Sequence, residues 1–505
     1  MSLSRSLVLV LTGFLLSVGS LYIALKVGFA VGISLLTIVV IKGIEASIQK
    51  VSGVFHETVK TSSSQDYGYY LSMTTGMSFS TVTLLSTVLA ALVLSGLFPD
   101  DPVTLILWVV SLNVMGTFLA WFFRKHLEKA AFPSARAAVS LIENTDSQEH
   151  KAFWWTFSAT SVWVFLKGFM KWIPSSVMGL SLSPVFLGLG GLLGFKTSIL
   201  FFLGGLFFFL PEQHILGEGD ELAWFSVSAM TVYMLIDFTA QKPWKELTAN
   251  LLNKRIVLSL TLFSFVSLFF FHRVFGLSFF PVVLMVLLIM PCALLASRAT
   301  AETDVAPIGA LGKLGMVILF FIPFKGSLMP WIGQLIGPAA ASSDFSSDLK
   351  CGSILKCRPG LQLNYQLAGA VIGPTVLIPV FLKFKELVGT DLFPAPAAQI
   401  WNQFLEMMST DVMQYSDQLK VNLTSGAILG LAYWLVKKKV WNQLPSVVPF
   451  CMAYFLDFQI TNTLLIGGFL AWILAKRVSK ENQLLVWTAM MGAESIIMSV
   501  VLLGY

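Results

Sequence analysis

The densest chemistry in this sequence lies where a long apolar stretch gives way to charge. Arg298, Glu302 and Asp304 fall within seven residues, followed by Pro307 and Gly309. On a continuing helix Arg298 and Glu302 share one face, so the guanidinium can keep the carboxylate ionised. If the two groups separate in a low-dielectric setting, the carboxyl takes up a proton. The cluster predicts a proton-coupling site, with Glu302 as carrier and Asp304 as the alternative; a permanent Arg298–Glu302 ion pair is the competing interpretation.

Other polar side chains also lie inside apolar stretches, where unpaired charge is costly and points to function. Glu494 is a third coupling candidate. Lys26 could bind the carboxylate of a zwitterionic solute, while a carboxylate of the charged cluster binds its amine. Gln362 and Gln366, four residues apart on one helix face, could hydrogen-bond solute amides or could instead join helices to one another.

The composition indicates which elements must position these residues. Of the 505 residues, 56% are hydrophobic and only 12% are charged, and the mean hydropathy is +0.79. Apolar segments of about 20 residues, enough to cross a roughly 30 Å hydrocarbon layer, recur along the chain. Their length and continuity favour helices over barrel strands. We therefore expect an all-α polytopic membrane protein.

The apolar segments also give a provisional map of the spans. Helical spans are expected near residues 6–25, 28–48, 69–97, 102–123, 153–173, 197–211, 222–238, 256–272, 277–297, 305–323, 362–382, 420–436, 445–475 (one span or two) and 484–503. Broken or re-entrant segments are expected at residues 130–142, 174–194, 324–340 and 393–408. The first run has no small-residue cleavage site, so it is predicted to be a retained helix. Lysine and arginine clusters such as Lys437 to Lys439 predict cytoplasmic loops of a multi-pass protein in the cell (inner or plasma) membrane.

Two of the broken segments resemble each other and indicate a duplication. Phe132-Pro133 and Phe393-Pro394 each follow the end of a span at the same interval and lie 261 positions apart. A Gly-Gly pair recurs at Gly204-Gly205 and Gly467-Gly468, 263 positions apart. Duplicated halves with interrupted helices are typical of secondary transporters. The two expected membrane repeats, within one integrated domain, are residues 1–240 and 250–505.

Several other function classes lack their usual signatures. The five histidines have no metal-ligand spacing, so no bare-metal site and no cofactor are expected. An intramembrane protease would need a nucleophile with a base, facing aspartates or a His-Glu-x-x-His motif, and a channel would show ringed filter chemistry. We therefore expect a carrier rather than an enzyme or a channel, with no nucleic-acid partner.

Motifs spread along most of the chain carry a family resemblance. They are Tyr22-Ile-Ala-Leu-Lys26-Val-Gly28, Phe132-Pro133-Ser134-Ala135-Arg136-Ala137, Ser183-Pro184, Arg298 to Asp304 with Pro307, Asp348-Leu-Lys with Gly352, Gln362 with Gln366, Ala395-Pro396-Ala397-Ala398 and Leu444-Pro445-Ser446. In order and spacing they resemble the oligopeptide transporter (OPT) family, which includes peptide carriers and yellow-stripe metal-chelate carriers. A bacterial member is expected.

The resemblance implies about sixteen membrane segments in two pseudo-symmetric halves, a central cavity and proton-coupled import. The solute would be a short oligopeptide or a peptide-like or metal-chelate compound, and a homo-oligomer is possible. Tyr22 joins the substrate-binding candidates on this basis. Arg136 stands where the family usually has a small threonine, so it either binds an anion in the cavity or snorkels to the interface.

Overall fold

Helices form nearly all of the structure, which confirms the expected all-α class. The computed structural model describes residues 3–27, 37–45, 62–143, 147–168, 179–209, 221–240, 254–275, 280–304, 328–390, 412–441 and 443–503, with isolated positions between these ranges. In this part of the chain the only sheet is an antiparallel pair of two-residue strands, β1 (Ser176–Val177) and β2 (Leu180–Ser181).

The main helices of the described part of the chain are numbered α1 to α16 in chain order. In the first half these are α1 (Leu3–Val27), α2 (Ser64–Leu94), α3 (Pro102–Leu127), α4 (Pro133–Glu143), α5 (Ser147–Gly168), α6 (Pro184–Leu193), α7 (Phe195–Phe209) and α8 (Glu221–Ala240). In the second half they are α9 (Lys254–Phe275), α10 (Phe280–Thr303), α11 (Met329–Ile354), α12 (Pro359–Phe384), α13 (Val412–Lys439), α14 (Val448–Met452), α15 (Phe458–Leu474) and α16 (Lys480–Leu503).

Local sequence explains where the long helices begin. Ser63 and Asp66 form a reciprocal capping box that satisfies free N–H groups at the start of α2. Asp101 caps α3, whose first residue is Pro102, so the missing proline N–H costs no helical bond. By length and apolarity, three of the described helices can cross a membrane: α2, α3 and α12 with its extension to Leu387.

One expected break is wrong. Residues 324–340 were predicted as a broken segment, but α11 runs unbroken from Met329 to Ile354 and contains Pro338 in its interior. The sequence argument failed because serines and aspartates fill the second half of this helix and lower its hydropathy. Ser342, Ser343, Ser346 and Asp348 are buried against other helices, so packing overrides the local signal.

Two other broken segments are short helices, as expected. Residues 130–142 contain α4, with 11 residues, and residues 174–194 contain the strand pair and α6, with 10 residues. Neither helix is long enough to cross a membrane, which needs about 20 residues. Most of segment 393–408 and of the expected span 305–323 lies outside the described residues.

Glycines bring backbones into direct contact at two related places. A Cβ on Gly204 of α7 would lie 2.2 Å from the carbonyl oxygen of Phe450 in α14, and a Cβ on Gly467 of α15 would lie 2.1 Å from that of Leu187 in α6. Each residue of the second pair is the counterpart of one in the first at an offset of 263. Helix α7 therefore packs on α14 as α15 packs on α6.

The same offset relates two strained turns. Phe132 has φ 43° and Ala395 has φ 46°, an uncommon left-handed conformation for residues other than glycine. The N–H of Phe132 donates to the carbonyl of Ala301 at 2.9 Å, and the N–H of Ala395 donates to that of Leu25 at 2.7 Å. Backbone geometry thus matches Phe132 to Ala395, whereas the sequence alignment matched it to Phe393.

The glycine contacts give a test of this packing. We expect Gly467→Ala to lower the melting temperature of the purified protein, because the new methyl overlaps a backbone carbonyl that cannot rotate away. Overpacking of this kind costs about 1–3 kcal/mol. Gly492→Ala in α16 is the control, since its Cβ would meet nothing within 4 Å. Equal melting temperatures for the two variants would contradict the close approach of α15 and α6.

Candidate functional site

Arg298 stands between two carboxylates at the end of α10. It bonds the Oδ2 atom of Asp237 on α8, and its Nε lies 3.5 Å from Oε1 of Glu302. The three side chains are 14%, 20% and 23% exposed, respectively. The expected pairing of Arg298 with Glu302 is present, and Asp237 is an additional partner that the sequence could not place there.

The second carboxylate oxygen of Glu302 has a different environment. Glu302 Oε2 is buried and has no hydrogen-bond partner among the described residues. Tyr233 of α8 lies within electrostatic range of Glu302, and its hydroxyl accepts a hydrogen bond of 2.8 Å from Lys437 of α13. The network therefore contains a buried acceptor able to receive a proton or an ammonium group.

Asp304 caps a helix that is distant in sequence. Its Oδ2 accepts a 2.9 Å hydrogen bond from the backbone N–H of Ser134, in the first turn of α4. The residue itself has φ 57°, which an aspartate adopts more readily than most side chains. The structure thus gives Asp304 an anchoring position: it ties the end of α10 to the start of α4.

Glu494 occupies the equivalent kind of position at α6. Its Oε2 accepts hydrogen bonds from the hydroxyl of Ser183 at 2.7 Å and from the backbone N–H of Val185 at 2.8 Å. Lys167 of α5 also interacts electrostatically with it. A carboxylate at a helix N-terminus satisfies free N–H groups and complements the helix dipole.

The two predicted glutamines lie at the contact of α11 and α12. Both are 1% exposed, and Gln362 Nε2 donates to the main-chain oxygen of Asp348 at 2.6 Å. Gln362 therefore joins two helices, one of the two roles that its spacing allowed. The side chain of Gln366 hydrogen-bonds Asp344, and its Oε1 is buried with no hydrogen-bond partner among the described residues.

Sequence reasoning missed Asp344 and included Asp348 only as part of a family motif, without a role at a site. They lie four residues apart on α11, and Asp348 is 1% exposed. The hydroxyl of Thr75 on α2 bonds Asp348 and also contacts Asp344. Two acids at helical spacing in Asp344-Phe-Ser-Ser-Asp348 were a usable signal, but the incorrect break at 324–340 hid the helix that carries them.

Two of the remaining substrate-binding candidates have other contacts in the described part of the structure. Tyr22 is 7% exposed, and its ring packs edge-on against Phe393, with centroids 5.3 Å apart. Arg136 is exposed, and its Nε donates to the carbonyl of Ala131 at 2.9 Å. Lys26 belongs to α1, but its side chain lies outside the described part of the structure.

Metal-ligating side chains do not converge in the described part of the chain. No group of three or more histidine, cysteine, aspartate or glutamate residues there could hold a metal ion. The polar clusters instead combine carboxylates with arginine, amide and hydroxyl groups. Their chemistry is suited to protons and to charged or amide-bearing solutes.

The capping role of Glu494 predicts a stability effect. We expect Glu494→Leu to lower the melting temperature, because the Ser183 hydroxyl and the Val185 N–H lose their acceptor. Each unsatisfied group costs about 1–3 kcal/mol. Glu494→Gln retains a side-chain oxygen and is expected to keep most of the stability.

Asp417→Leu provides the control for this measurement, because the Asp417 side chain is 95% exposed. Thermal unfolding of the three purified variants decides the outcome. An unchanged melting temperature for Glu494→Leu would exclude a capping role.

Comparison with known proteins assigns the family. The family model for the OPT oligopeptide transporter protein matches residues 245–503. A Saccharomyces cerevisiae protein named "Putative oligopeptide transporter YGL114W" is 27% identical over 144 residues, covering 27% of this chain and 20% of that protein. A Haemophilus influenzae protein named "Putative oligopeptide transporter" is 24% identical over 160 residues, covering 29% of this chain and 25% of that protein.

These alignments span a quarter or less of each relative's own length. The family match, in contrast, covers just over half of this chain and includes Arg298, Glu302, Asp344 and Asp348. Together with the apolar helices, it identifies a polytopic membrane protein. The chain belongs to the OPT oligopeptide transporter family.

Proposed function

We propose that this protein is a secondary active transporter, a proton-coupled importer of short oligopeptides or of peptide-like or metal-chelate solutes. Family membership supports a carrier, and the names of the two relatives support oligopeptides as the substrate class. A multi-pass protein of the cell membrane is the matching location. We propose no enzymatic role.

The observation that carries the proposal is the Asp237–Arg298–Glu302 network. Two carboxylates share one guanidinium in a partly buried setting, and Glu302 keeps one buried oxygen unused. Such a network can exchange partners without leaving a charge uncompensated. A solute carboxylate can replace the Glu302 carboxylate at Arg298. Glu302 can then take up a proton or bind a solute amine. Solute binding and protonation are thereby linked.

The proposed movement uses two repeats, residues 1–240 and 250–505. The reciprocal glycine contacts and the paired turns at Phe132 and Ala395 support this arrangement. In transporters built from repeats, one half rocks against the other around a fixed site. Helices α8 and α10, which carry Asp237 and Arg298, fall on opposite sides of the proposed boundary, so a rocking movement would alter their ion pair.

The other candidates take secondary places in the proposal. Asp304 and Glu494 each cap a helix, a structural use of the carboxylate, so Glu302 is the favoured coupling residue. Tyr22 and Lys26, near the end of α1, and Arg136 on α4 stay proposed solute contacts. Gln362 and Gln366 stay proposed solute contacts of lower rank, because both are buried between helices.

The central prediction concerns Glu302→Gln. We expect this variant to fold, to lose proton-driven accumulation by at least tenfold, and to retain solute exchange, because the amide cannot carry a proton. Uptake and counterflow in proteoliposomes, normalised to inserted protein, measure both activities.

A matched control is Asp417→Asn, which alters an exposed ion pair with Lys420 and should leave accumulation unchanged. A purely structural Arg298–Glu302 bridge gives a different result. Glu302→Gln would then lose stability, while coupling in each surviving molecule stays normal.

The second prediction concerns the solute. Proteoliposomes should accumulate short peptides or a chelated metal and not a free divalent cation, because the described residues offer no metal-ligand cluster. Competition by an unlabelled peptide library against a labelled tripeptide measures this preference. Uptake of uncomplexed metal that is insensitive to peptides and chelators would refute it.

A further inference from the structure

A second polar centre, built from residues other than those of the Arg298 network, lies where α2, α11 and α12 meet. Its acids are Asp344 and Asp348, both on α11, with Thr75 supplied by α2 and Gln366 by α12. The mechanism proposed above uses none of these four side chains as a proton carrier.

The site is closed by unusually tight packing. Gly369 of α12 would place a Cβ 2.1 Å from the carbonyl oxygen of Met73 on α2, and Gly76 of α2 would place one 3.1 Å from the amide of Gln366. Backbones this close leave little room for water. The acids therefore depend on protein partners or on a bound ion for compensation.

The hydrogen-bond donors described at this site are fewer than its acceptors. Thr75 has one hydroxyl hydrogen, and both Asp348 and the carbonyl of Leu71, at 2.9 Å, are within its reach. Gln366 bonds Asp344, yet its own Oε1 remains buried and unpartnered. Among the contacts of the described residues, two carboxylates and an amide oxygen thus share one hydroxyl and one amide NH₂.

Positively charged side chains of the described residues do not compensate the two carboxylates. None of the ion pairs formed by described residues includes Asp344 or Asp348. On α11 itself, the buried thiol of Cys351 is an electrostatic neighbour of Asp348, and Glu143 of α4 lies beyond it. From α2 and α12 the groups that face the pair are hydroxyl and amide groups, including Gln362 on the Asp348 carbonyl.

We propose that Asp344 and Asp348 form a binding site for one compact monovalent cation, a proton shared by the carboxyls or a sodium ion. Two adjacent carboxylates cannot both remain charged in such surroundings without compensation. In the proton form, the proton lies between the two carboxyls and removes one negative charge. In the sodium form, the carboxylates and the buried Gln366 Oε1 provide oxygen ligands for Na⁺. Use of this site in coupling rests on the proposed transport function, whereas cation binding does not.

Infrared spectroscopy of the purified protein tests the proton form. The carbonyl-stretch band of a protonated carboxyl should be present near neutral pH, shift in D₂O, and be lost in both Asp344→Asn and Asp348→Asn but not in Asp417→Asn. Thr75→Val keeps both acids and should move the pH at which the band disappears, which provides a test even if an asparagine variant fails to fold.

Thermal unfolding tests the sodium form. At constant ionic strength, NaCl should raise the melting temperature over choline chloride in the wild type, and this shift should be absent in Asp348→Asn and altered in Thr75→Val. Either the band or the sodium shift, with this dependence on the variants, supports the site. Neither signal, or signals identical in all variants, overturns it.

These measurements use no solute, so they are independent of transport. If the wild type bound a cation at this pair but moved no peptide or chelate, the transport proposal would fail and the site would stand. Peptide accumulation by a protein with neither signal would give the reverse conclusion.

Discussion

The cost of placing a carboxylate inside an apolar helical domain is the constraint on which this structure depends. An ionised carboxylate there is penalised by several kcal/mol unless it is paired or hydrogen-bonded. The chain compensates its buried acids in three ways. Glu302 and Asp237 both pair with Arg298. Asp304 and Glu494 each cap a short helix. Asp344 and Asp348 accept hydrogen bonds from Thr75 and Gln366.

The caps connect this electrostatic constraint to the fold. Short helices α4 and α6 begin at buried or partly buried positions, and their first N–H groups have no partner within the helix. At the start of each helix, a carboxylate from a distant segment accepts a hydrogen bond from a free backbone N–H. The same bond therefore stabilises the carboxylate and fixes the helix. The close glycine contacts hold the surrounding helices near enough for these bonds to form, since association without water depends on packing and small residues.

The sequence predicted most of the helices and part of the site. Long apolar runs identified α2 and α3, and helical spacing correctly paired Arg298 with Glu302. Asp237 was not predictable as a partner, because it lies 61 residues away from Arg298 and only tertiary packing joins them. Helix α11 was missed since its polar face is buried against α2 and α12, so hydropathy underestimated it and concealed Asp344 and Asp348. Phe132 and Ala395 are equivalent in turn geometry, and their residue types alone do not reveal this equivalence.

The proposed mechanism depends on coupling between solute movement and proton movement. The most direct measurement is of wild-type proteoliposomes with a pH-sensitive dye enclosed, given short peptides on the outside under an inward proton gradient. We expect peptide accumulation above the outside concentration together with acidification of the lumen, both abolished by an uncoupler. Peptide accumulation of equal size without a proton gradient, and with no change in lumenal pH, would contradict it.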